Sequence, residues 1–593
     1  MLVLLISILS IVALLLEHGF YRPPLPLSVL HWVQAGLAMA FMGLALGQWV
    51  FSDQRSDILR GQWTDLLVLL GAVLAYLLAP LLHLEALEAI PSYLVLVQSY
   101  IALNLGQRGV RLNIRAAGSG IHPARLLVGS FIFLILVGAG LLMLPRAFPE
   151  NAFRTIGFEN ALFTSASATC VTGLSVLDTG SDFSRFGQVV ILLLMQLGGL
   201  GIMIFGTMFV VLAGRSLGLR QAAAVGEMIS LEGLGRISRM VKFIVIVTLL
   251  IEAIGACLLW TLWKDRPDAI YYSVFHSVSA FCNCGLGLFR DSLISFRNSW
   301  QVLVVIPGLI IMGGLGFPVL YDLARNVRTT VTYLLRMRRR VPGVPRPQLM
   351  LHSKIVLVST VLLLVLGAVG LLLVEPAPGV KNVQLEQPTL TTEQARAKLT
   401  DWQRLEGMDR VKQVWFHSAS SRTAGFNTIN LDELANAGKF WLVGLMVVGG
   451  SPASMAGGMK TATFAVLLLL LWSILRRREQ VEVLGRSLSG ELIRRAITLA
   501  VLYLGFVAAT TLALCVAQGP TSRFLDILFE SASACGTVGL SMGETARLTL
   551  AGKYVIIAAM FVGRVGPLTL LIGLMVSKPP ARYTYPVENV IIG

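Results

Sequence analysis

Four short segments of small, polar and glycine residues lie between long apolar runs of this sequence. Each begins with Phe-x-Ser-[Ala/Val]-Ser, at Phe163, Phe275, Phe416 and Phe529, and reaches a glycine that precedes a bulky apolar residue. The Phe-to-Gly spacing is 10, 10, 9 and 10 residues, and successive glycines are 112, 140 and 114 residues apart. A single Ser-x-Ser is uninformative, whereas four copies in one register indicate an internal repeat.

Such segments can coordinate a cation through backbone carbonyl oxygens. Irregular backbone at membrane depth occurs where protein or a water-filled cavity surrounds it, and rings of carbonyls can replace the hydration shell of a permeating cation. Glycine permits the positive φ that turns carbonyls toward an axis. Close helix packing is the alternative use of small residues. The predicted filter residues are Cys170, Val171, Thr172, Gly173, Asn283, Cys284, Gly285, Thr423, Ala424, Gly425, Thr537, Val538 and Gly539.

Membrane-spanning helices are the elements that must position these segments. The chain has 593 residues, of which 55% are hydrophobic and 13% charged, whereas soluble domains carry about 25% charged residues. Apolar runs of about 17 to 25 residues, long enough to cross a bilayer, recur along its length. We therefore expect an all-α polytopic membrane protein with four span–pore helix–span repeats in fourfold pseudosymmetry around a central pore.

Twelve spans and four re-entrant segments account for the hydropathy pattern. The predicted units are residues 1–118 with about four N-terminal spans, repeats at 119–220, 221–345 and 346–485, and a fourth repeat with the C-terminal tail at 486–593. The predicted spans are Leu2–Leu16, Trp32–Phe51, Leu66–Leu82, Tyr93–Leu105, Leu126–Leu144, Val189–Leu212, Phe243–Trp263, Val302–Tyr321, Ile355–Val374, Trp441–Leu475, Ala496–Val516 and Tyr554–Val576.

The net charge of +16 comes largely from short basic loops between spans. Clusters at 215–242, 325–346 and 476–495 fall on one side of the membrane in this topology. The positive-inside rule places that side, and both termini, in the cytoplasm of a multi-pass cell-membrane protein, and it explains the charge without nucleic acid as a partner. The six cysteines form no CxxC pair, so neither a disulfide framework nor a metal centre is indicated.

Seven motifs extend the repeat signal over residues 120–593. With these motifs the chain resembles the Trk/Ktr/HKT superfamily of potassium transporters, closest to the Ktr-type membrane subunit. The motifs are "CVTGLSVLDTG" at 170–180, "LLLMQLGGLGIMIFGT" at 192–207, "FCNCGLGLF" at 281–289, "SSRTAGFNT" at 420–428, "GGSPASMAGGMKT" at 449–461, "GTVGLSMG" at 536–543 and "MFVGRVGPLTL" at 560–570.

The resemblance implies a K⁺-selective, channel-like pore in one chain, with K⁺ as the transported ion, no covalently bound cofactor and Na⁺ as an activator. It also implies a membrane homodimer on a cytosolic nucleotide-binding ring of the KtrA/TrkA type that binds ATP/ADP or NAD. In the family a glycine in the first filter accompanies K⁺ selectivity and a serine accompanies Na⁺ passage, so Gly173 implies K⁺. The N-terminal section of about 110 residues is longer than in typical relatives, and the second filter has Cys284 where alanine is usual.

The span Trp441–Leu475 is interrupted by glycines, a proline and serines that make a continuous helix costly. Interrupted spans often mark transport sites, and the family uses this loop as a gate beneath the filter; a static kink is the alternative. Lys460 either reaches toward the pore or marks the cytoplasmic margin of the span. The predicted gate residues are Gly449, Gly450, Ser451, Pro452, Ala453, Ser454, Met455, Ala456, Gly457, Gly458, Lys460 and Arg564.

Charged residues inside predicted spans form a further group of candidates, because a charge at that depth is costly unless it is paired or functional. The family counterpart of Arg564 projects into the pore beside the loop; the alternative for Arg564 is an ion pair with Glu530. We expect Arg422 and Glu530 to pair and brace the pore segments. Glu252 is either paired or shielded from lipid. Asp178 either attracts cations to the outer mouth or is a solvated loop acid.

Two other functions compete with a K⁺-translocating subunit. One is a symporter of the same fold for Na⁺ or another monovalent cation, which the four glycines disfavour. The other is an intramembrane transferase, which would require convergent His, Asp or Glu residues in a cleft. The sequence has few, scattered histidines and lacks HExxH, GxSxG and GxxxxGK[ST], so we expect no enzymatic activity.

Overall fold

The structure is a computed structural model that describes residues 2–50, 123–150, 157–201, 234–338, 348–375, 402–405 and 407–574. The predicted spans Leu66–Leu82 and Tyr93–Leu105 lie outside these residues. The helices are α1 (Leu2–His18), α2 (Leu27–Val50), α3 (Pro123–Leu142), α4 (Phe158–Thr169), α5 (Arg185–Leu200), α6 (Leu234–Trp263), α7 (Ala269–Phe281), α8 (Ile306–Leu315), α9 (Phe317–Arg338), α10 (Leu351–Val374), α11 (Gly407–Ser420), α12 (Asn436–Val447), α13 (Thr461–Leu475), α14 (Gly490–Gln518), α15 (Phe524–Gly536), α16 (Leu550–Val565) and α17 (Pro567–Leu574).

Little other regular structure accompanies these helices in the described residues. A two-stranded antiparallel hairpin follows α13, with β1 (Glu482–Val483) paired to β2 (Arg486–Ser487). A π-helix at Gln301–Val305 leads into α8. Single 3₁₀ turns lie at Pro145–Ala147, Ile294–Phe296, Leu431–Glu433, Gly519–Thr521 and Glu544–Arg547. The fold is therefore essentially all helical, as the composition predicts.

Several helices are long and apolar enough to cross a membrane. Within the described residues three meet this description, Phe243–Trp263, Leu351–Val374 and Gly490–Gln518, and a bent pair around Gly316 would be a fourth. Large apolar side chains point outward, as with Leu373 at 79% exposure. Outward apolar side chains are expected where the surrounding solvent is lipid, so the chain is a membrane protein.

Four short helices, α4, α7, α11 and α15, lie among the long ones. Each packs on the long helix that precedes it in the chain, which is α3, α6, α10 or α14. Each also contacts the helix that follows the short helix of the preceding copy: α7 contacts α5, α11 contacts α8, α15 contacts α12, and α4 contacts α16. Because α4 contacts α16, the fourth copy closes on the first.

Two predicted spans are not continuous, and the predictions for them are wrong in this respect. The span Val302–Tyr321 breaks at Gly316, where the flanking helices bend by 101°. The span Tyr554–Val576 breaks at Gly566 between α16 and α17. Both glycines have positive φ, 84° and 89°, a conformation that a helix cannot contain. Helix α5 likewise ends at Gly201, with φ of 74°.

The N-terminal helices α1 and α2 form a hairpin whose turn contacts the segment that follows α3. The Arg146 amide donates to the Gly19 carbonyl over 3.0 Å, and the Tyr21 hydroxyl donates to the Phe148 carbonyl over 2.5 Å. Between the two helices, the Gln34 amide donates to the Glu17 carboxylate over 2.5 Å. The hairpin is therefore tied to the segment that joins α3 to α4.

Candidate cation-binding site

The glycines that end the four repeated segments share one backbone conformation. Their φ angles are 92° at Gly173, 83° at Gly285, 76° at Gly425 and 90° at Gly539. Two residues before each glycine stands a non-glycine that also has positive φ, which is uncommon for such residues. These are Val171 (55°), Asn283 (59°), Thr423 (72°) and Thr537 (51°).

The four segments meet in a closed cycle. A Cβ built on any of these glycines would lie against the carbonyl oxygen of the residue that precedes the glycine of the next copy. The pairs are Gly173 with Cys284, Gly285 with Ala424, Gly425 with Val538, and Gly539 with Thr172. The structure thus brings together the four glycines that the sequence analysis selected, and the fourth contacts the first.

Only glycine fits these positions, for two independent reasons. Positive φ strains residues with a Cβ, and a Cβ on Gly173 would overlap the Cys284 oxygen. The side chains of the other predicted filter residues are buried within the protein, with Thr172 and Cys284 both at 0% exposure. These residues therefore lie in the protein interior.

The Ser-x-Ser of the repeated motif fixes three of the short helices at two points and the fourth at one. The first serine hydroxyl donates over 2.7 Å to a carbonyl of the preceding long helix; the pairs are Ser165 with Ile135, Ser277 with Glu252, and Ser418 with Leu364. The second serine binds the backbone at or just after the glycine: Ser167 with Gly173, Ser279 with Leu286, Ser420 with Phe426, and Ser533 with Gly539. These hydrogen bonds therefore fix the backbone around each of the four glycines relative to its short helix.

In three of the copies, the residue after the motif phenylalanine adds a further hydrogen bond, to a backbone amide that follows the glycine. The Nε2 atoms of His276 and His417 accept from the Leu288 and Thr428 amides at 3.4 and 3.5 Å. Their Nδ1 atoms lie 2.8 Å from helix carbonyls. Both histidines are packed and hydrogen-bonded. In the fourth copy Glu530 has the same role.

The expected pairing of Arg422 with Glu530 is wrong. The Glu530 carboxylate accepts from the Met542 amide at 3.2 Å, from the Thr545 hydroxyl at 2.7 Å and from the Ser541 hydroxyl. Arg422 instead points to α10, where it donates to the Thr360 carbonyl over 3.4 Å. The hydroxyl and amide donors of the nearby loop satisfy the Glu530 carboxylate, so it does not need a cationic partner.

Glu530→Ala is expected to lower the unfolding free energy by about 3 kcal/mol, because it leaves a buried amide and two hydroxyls without their charged acceptor. Thermal unfolding of the purified protein in detergent measures this loss. Glu491→Ala is the matched control: Glu491 pairs with Arg495 at the surface, with 65% of its side chain exposed, so its removal should cost under about 1 kcal/mol. Equal stability of the two variants would contradict the bracing role of Glu530.

A cavity of about 240 Å³ adjoins one side of the cycle. All four glycines line it, together with Asp178, Arg290 and residues that follow each glycine. The Asp178 carboxylate accepts from the Gly180 amide over 2.9 Å. Asp178 therefore holds the turn of its loop and lies at the cavity wall.

The non-helical segment 448–460, named the intramembrane loop after its predicted position, lies between α12 and α13. A Cβ on Gly457 would overlap the Thr537 side chain of the fourth segment. The Ser451 and Met455 amides donate to the Gly314 and Gly313 carbonyls at the end of α8, over 2.9 and 3.1 Å. The Lys460 ammonium donates to the Ala456 carbonyl over 2.7 Å, so it folds back on its own loop.

Arg564 joins this loop to the first repeat. Its Nη1 donates to the Met455 carbonyl, and its Nη2 donates to the carbonyls of Gly198 at 2.7 Å and Gly199 at 3.2 Å. The alternative partner Glu530 is wrong, because within the described residues no ion pair joins Arg564 to a carboxylate. Three backbone carbonyls therefore accept hydrogen bonds from the guanidinium of this partly buried residue.

The glycine breaks that end α5, α8 and α16 were not predicted from the sequence. Their signal is a glycine three residues earlier, in Gly198–Gly201, Gly313–Gly316 and Gly563–Gly566. A Cβ on any of these earlier glycines would overlap the last carbonyls of a short helix, at Thr169, Phe281 or Cys535. The repeated Gly-x-x-Gly therefore lets each long helix approach a short helix and then turn.

These features define a helical membrane protein whose four repeated glycine turns meet in a closed cycle. The family model of TrkH, a cation transport protein, matches residues 132–584. The potassium/sodium uptake protein NtpJ of Enterococcus hirae is 33% identical over 80% of this chain and 98% of its own length. The Ktr system potassium uptake protein B of Vibrio alginolyticus is 35% identical over 81% of this chain and 96% of its own.

The chain belongs to this family of cation transport proteins, and the resemblance to the Trk/Ktr/HKT superfamily is confirmed. The structure of the potassium transporter TrkH from Vibrio parahaemolyticus has the same fold, with a TM-score of 0.54 and 19% identity over 87% of this chain and 98% of that one. These relatives are named as transporters. The matched region begins at residue 132, so most of the N-terminal section precedes it.

Proposed function

We propose that this chain is the K⁺-translocating membrane subunit of a Ktr/Trk-type potassium uptake system. The observation that carries the proposal is the closed cycle of four glycine turns, in which each glycine adjoins a carbonyl of the next copy. Relatives named as potassium uptake proteins, at 33% to 35% identity over about four fifths of the chain, support the choice of ion.

In this proposal the carbonyls of the four segments replace water around a dehydrated K⁺ ion. The short helices direct the partially negative ends of their dipoles toward the same space, which favours cations. The contacts that run from each copy to the next support fourfold pseudosymmetry, with repeats at 119–220, 221–345, 346–485 and 486–593. The membrane potential drives the ion inward.

The intramembrane loop and Arg564 form the proposed gate. The loop lies beneath the fourth segment, and Arg564 holds it by hydrogen bonds to Met455 on one side and to α5 on the other. A fixed cation in the path also raises the barrier for K⁺. Opening then requires that Arg564 release the loop or α5.

The proposed assembly is a membrane homodimer on a cytosolic nucleotide-binding ring, with both termini in the cytoplasm and Na⁺ as an activator. Relatives named as proteins of the Ktr system support a multi-component complex. The part of helix α9 around Arg325 and the loop at Arg476–Arg478 offer a positive surface on that side. The ring would act on the gate through these two segments.

The purified chain in phospholipid vesicles is expected to pass K⁺ at least about tenfold faster than Na⁺, as a filter of carbonyls requires. Flux is measured with ion-sensitive dyes under an imposed potential. In parallel, the intact chain with a ring subunit should restore growth of a bacterium deficient in K⁺ uptake. Equal K⁺ and Na⁺ flux would favour the alternative of a Na⁺ transporter, which the name of NtpJ also allows.

A further inference from the structure

A buried carboxylate, Glu252, lies between the first and second repeats, in the middle of α6. Its Oε2 accepts from the Gln196 amide on α5 at 3.3 Å, and its Oε1 lies 3.9 Å from the Cys282 thiol at the end of α7. The Cys282 thiol is also 3.6 Å from the Gln196 oxygen. Glu252 is 6% exposed and Cys282 fully buried, so the three side chains form an enclosed polar cluster.

The corresponding positions of other repeats are apolar. The anchoring serine hydroxyl binds the Glu252 carbonyl in the second repeat, the Ile135 carbonyl in the first and the Leu364 carbonyl in the third, so these three residues are equivalent. Gln196 stands two residues before the packed glycine of α5, where α8 has Ile311 and α16 has Phe561. At these positions the first and third repeats therefore have no counterpart of Glu252.

Burying the carboxyl group of Glu252 between the helices costs free energy. At membrane depth an ionisable side chain is a candidate for function by default, and an apolar residue serves the packing of α3 and α10 equally well. Helix packing alone therefore does not require Glu252.

The cluster adjoins the part of α5 that binds Arg564. Gln196 lies in the last turn of α5, and the Gly198 and Gly199 carbonyls of that turn accept from Arg564 at 2.7 and 3.2 Å. A Cβ on Gly199 would lie 2.9 Å from the Cys282 sulfur and 3.2 Å from the Met455 sulfur. The end of α5 is therefore held between the polar cluster and the gate.

We propose that Glu252 is a positioning residue of the gate. Its hydrogen bond to Gln196 fixes the last turn of α5 in the orientation that presents two carbonyls to Arg564. Without that bond the turn is free to rotate, and Arg564 loses its partners on the first repeat. This inference rests on the proposed gating role of Arg564.

The test compares Glu252→Leu, Glu252→Gln and Arg564→Ala by K⁺ flux into vesicles. Glu252→Leu is expected to raise flux by about 5-fold, the lower end of usual couplings between sites. Glu252→Gln keeps an acceptor for Gln196 and should stay within about 2-fold of the parent. Flux of the Glu252→Leu/Arg564→Ala double variant should equal that of Arg564→Ala, because both changes remove the same contact.

Gln301→Leu is the matched control. The Gln301 amide donates to Thr261 of the same helix α6 over 3.0 Å, far along the helix from Glu252. Its loss should lower stability and leave K⁺ flux unchanged. Gln196→Leu removes the same Gln196–Glu252 hydrogen bond by changing the residue on α5. It replaces Glu252→Leu in the flux test if Glu252→Leu does not fold.

The two proposals fail in different ways. Flux in Arg564→Ala at or below that of the parent would overturn the gating role of Arg564 itself. A rise in Arg564→Ala, together with parental flux in Glu252→Leu or Gln196→Leu, would overturn only the role of Glu252. Additive effects in the double variant would also overturn it, because they would place Glu252 on a separate route to the pore.

Discussion

Gly173→Ser is expected to lower the preference for K⁺ over Na⁺ by at least about tenfold, which corresponds to about 1.4 kcal/mol. The added Cβ would overlap the Cys284 carbonyl oxygen, and Gly173 has a φ of 92° that strains a serine. Strain of this kind costs about 1 to 3 kcal/mol. The Cys284 carbonyl must therefore move, and the proposed ring of carbonyls then no longer selects one ion by its size.

The selectivity ratio from K⁺ and Na⁺ flux in vesicles measures this change. Gly140→Ser is the matched control, because Gly140 lies on α3 of the same repeat and a Cβ there meets nothing within 4 Å. The control should keep the parental ratio. A parental ratio in Gly173→Ser would remove Gly173 from the proposed filter.

The location of the candidate site could be predicted from the sequence because its residues are constrained in type. Glycine is the residue that accepts both a positive φ and a neighbouring carbonyl, so Gly173 and its three equivalents stand out by spacing alone. The positive φ of Val171 and Thr537 could not be predicted, because nothing in a valine or a threonine signals that conformation.

The partners of charged residues could not be predicted in the same way. Arg422 and Glu530 have opposite charges and both lie in the repeated segments, yet each finds nearer partners in the backbone and hydroxyls. The span breaks were missed because Ile306–Leu315 and Phe317 continue one apolar run. Hydropathy records length and polarity, whereas the break at Gly316 depends on a contact with another segment.

Glu252 stands out only when the repeats of this chain are compared with one another. The sequence left Glu252 open between pairing and shielding, since a lone acid in a span has no visible partner. The serine anchors give a residue-by-residue register between repeats. In that register Glu252 replaces isoleucine and leucine, which turns an isolated acid into a departure from a repeated pattern.

Arg564→Ala is expected to raise K⁺ flux by at least about tenfold, because three hydrogen bonds to a charged group are lost and each contributes about 1.5 to 3 kcal/mol. These bonds join the intramembrane loop at Met455 to the end of α5 at Gly198 and Gly199. Their loss frees the loop and also removes a fixed positive charge from the proposed path. Flux into vesicles without a ring subunit measures the effect.

Two variants separate the contributions of charge and contact. Arg564→Lys keeps the charge, but a single ammonium replaces a guanidinium that binds on two sides, so flux should rise less than in Arg564→Ala. Lys553→Ala removes a cation from the same helix α16, where Lys553 donates to Asn160 over 2.7 Å, and should leave flux unchanged. If Arg564→Ala conducts no faster than Lys553→Ala, the three carbonyl contacts brace the fold and do not close the pore.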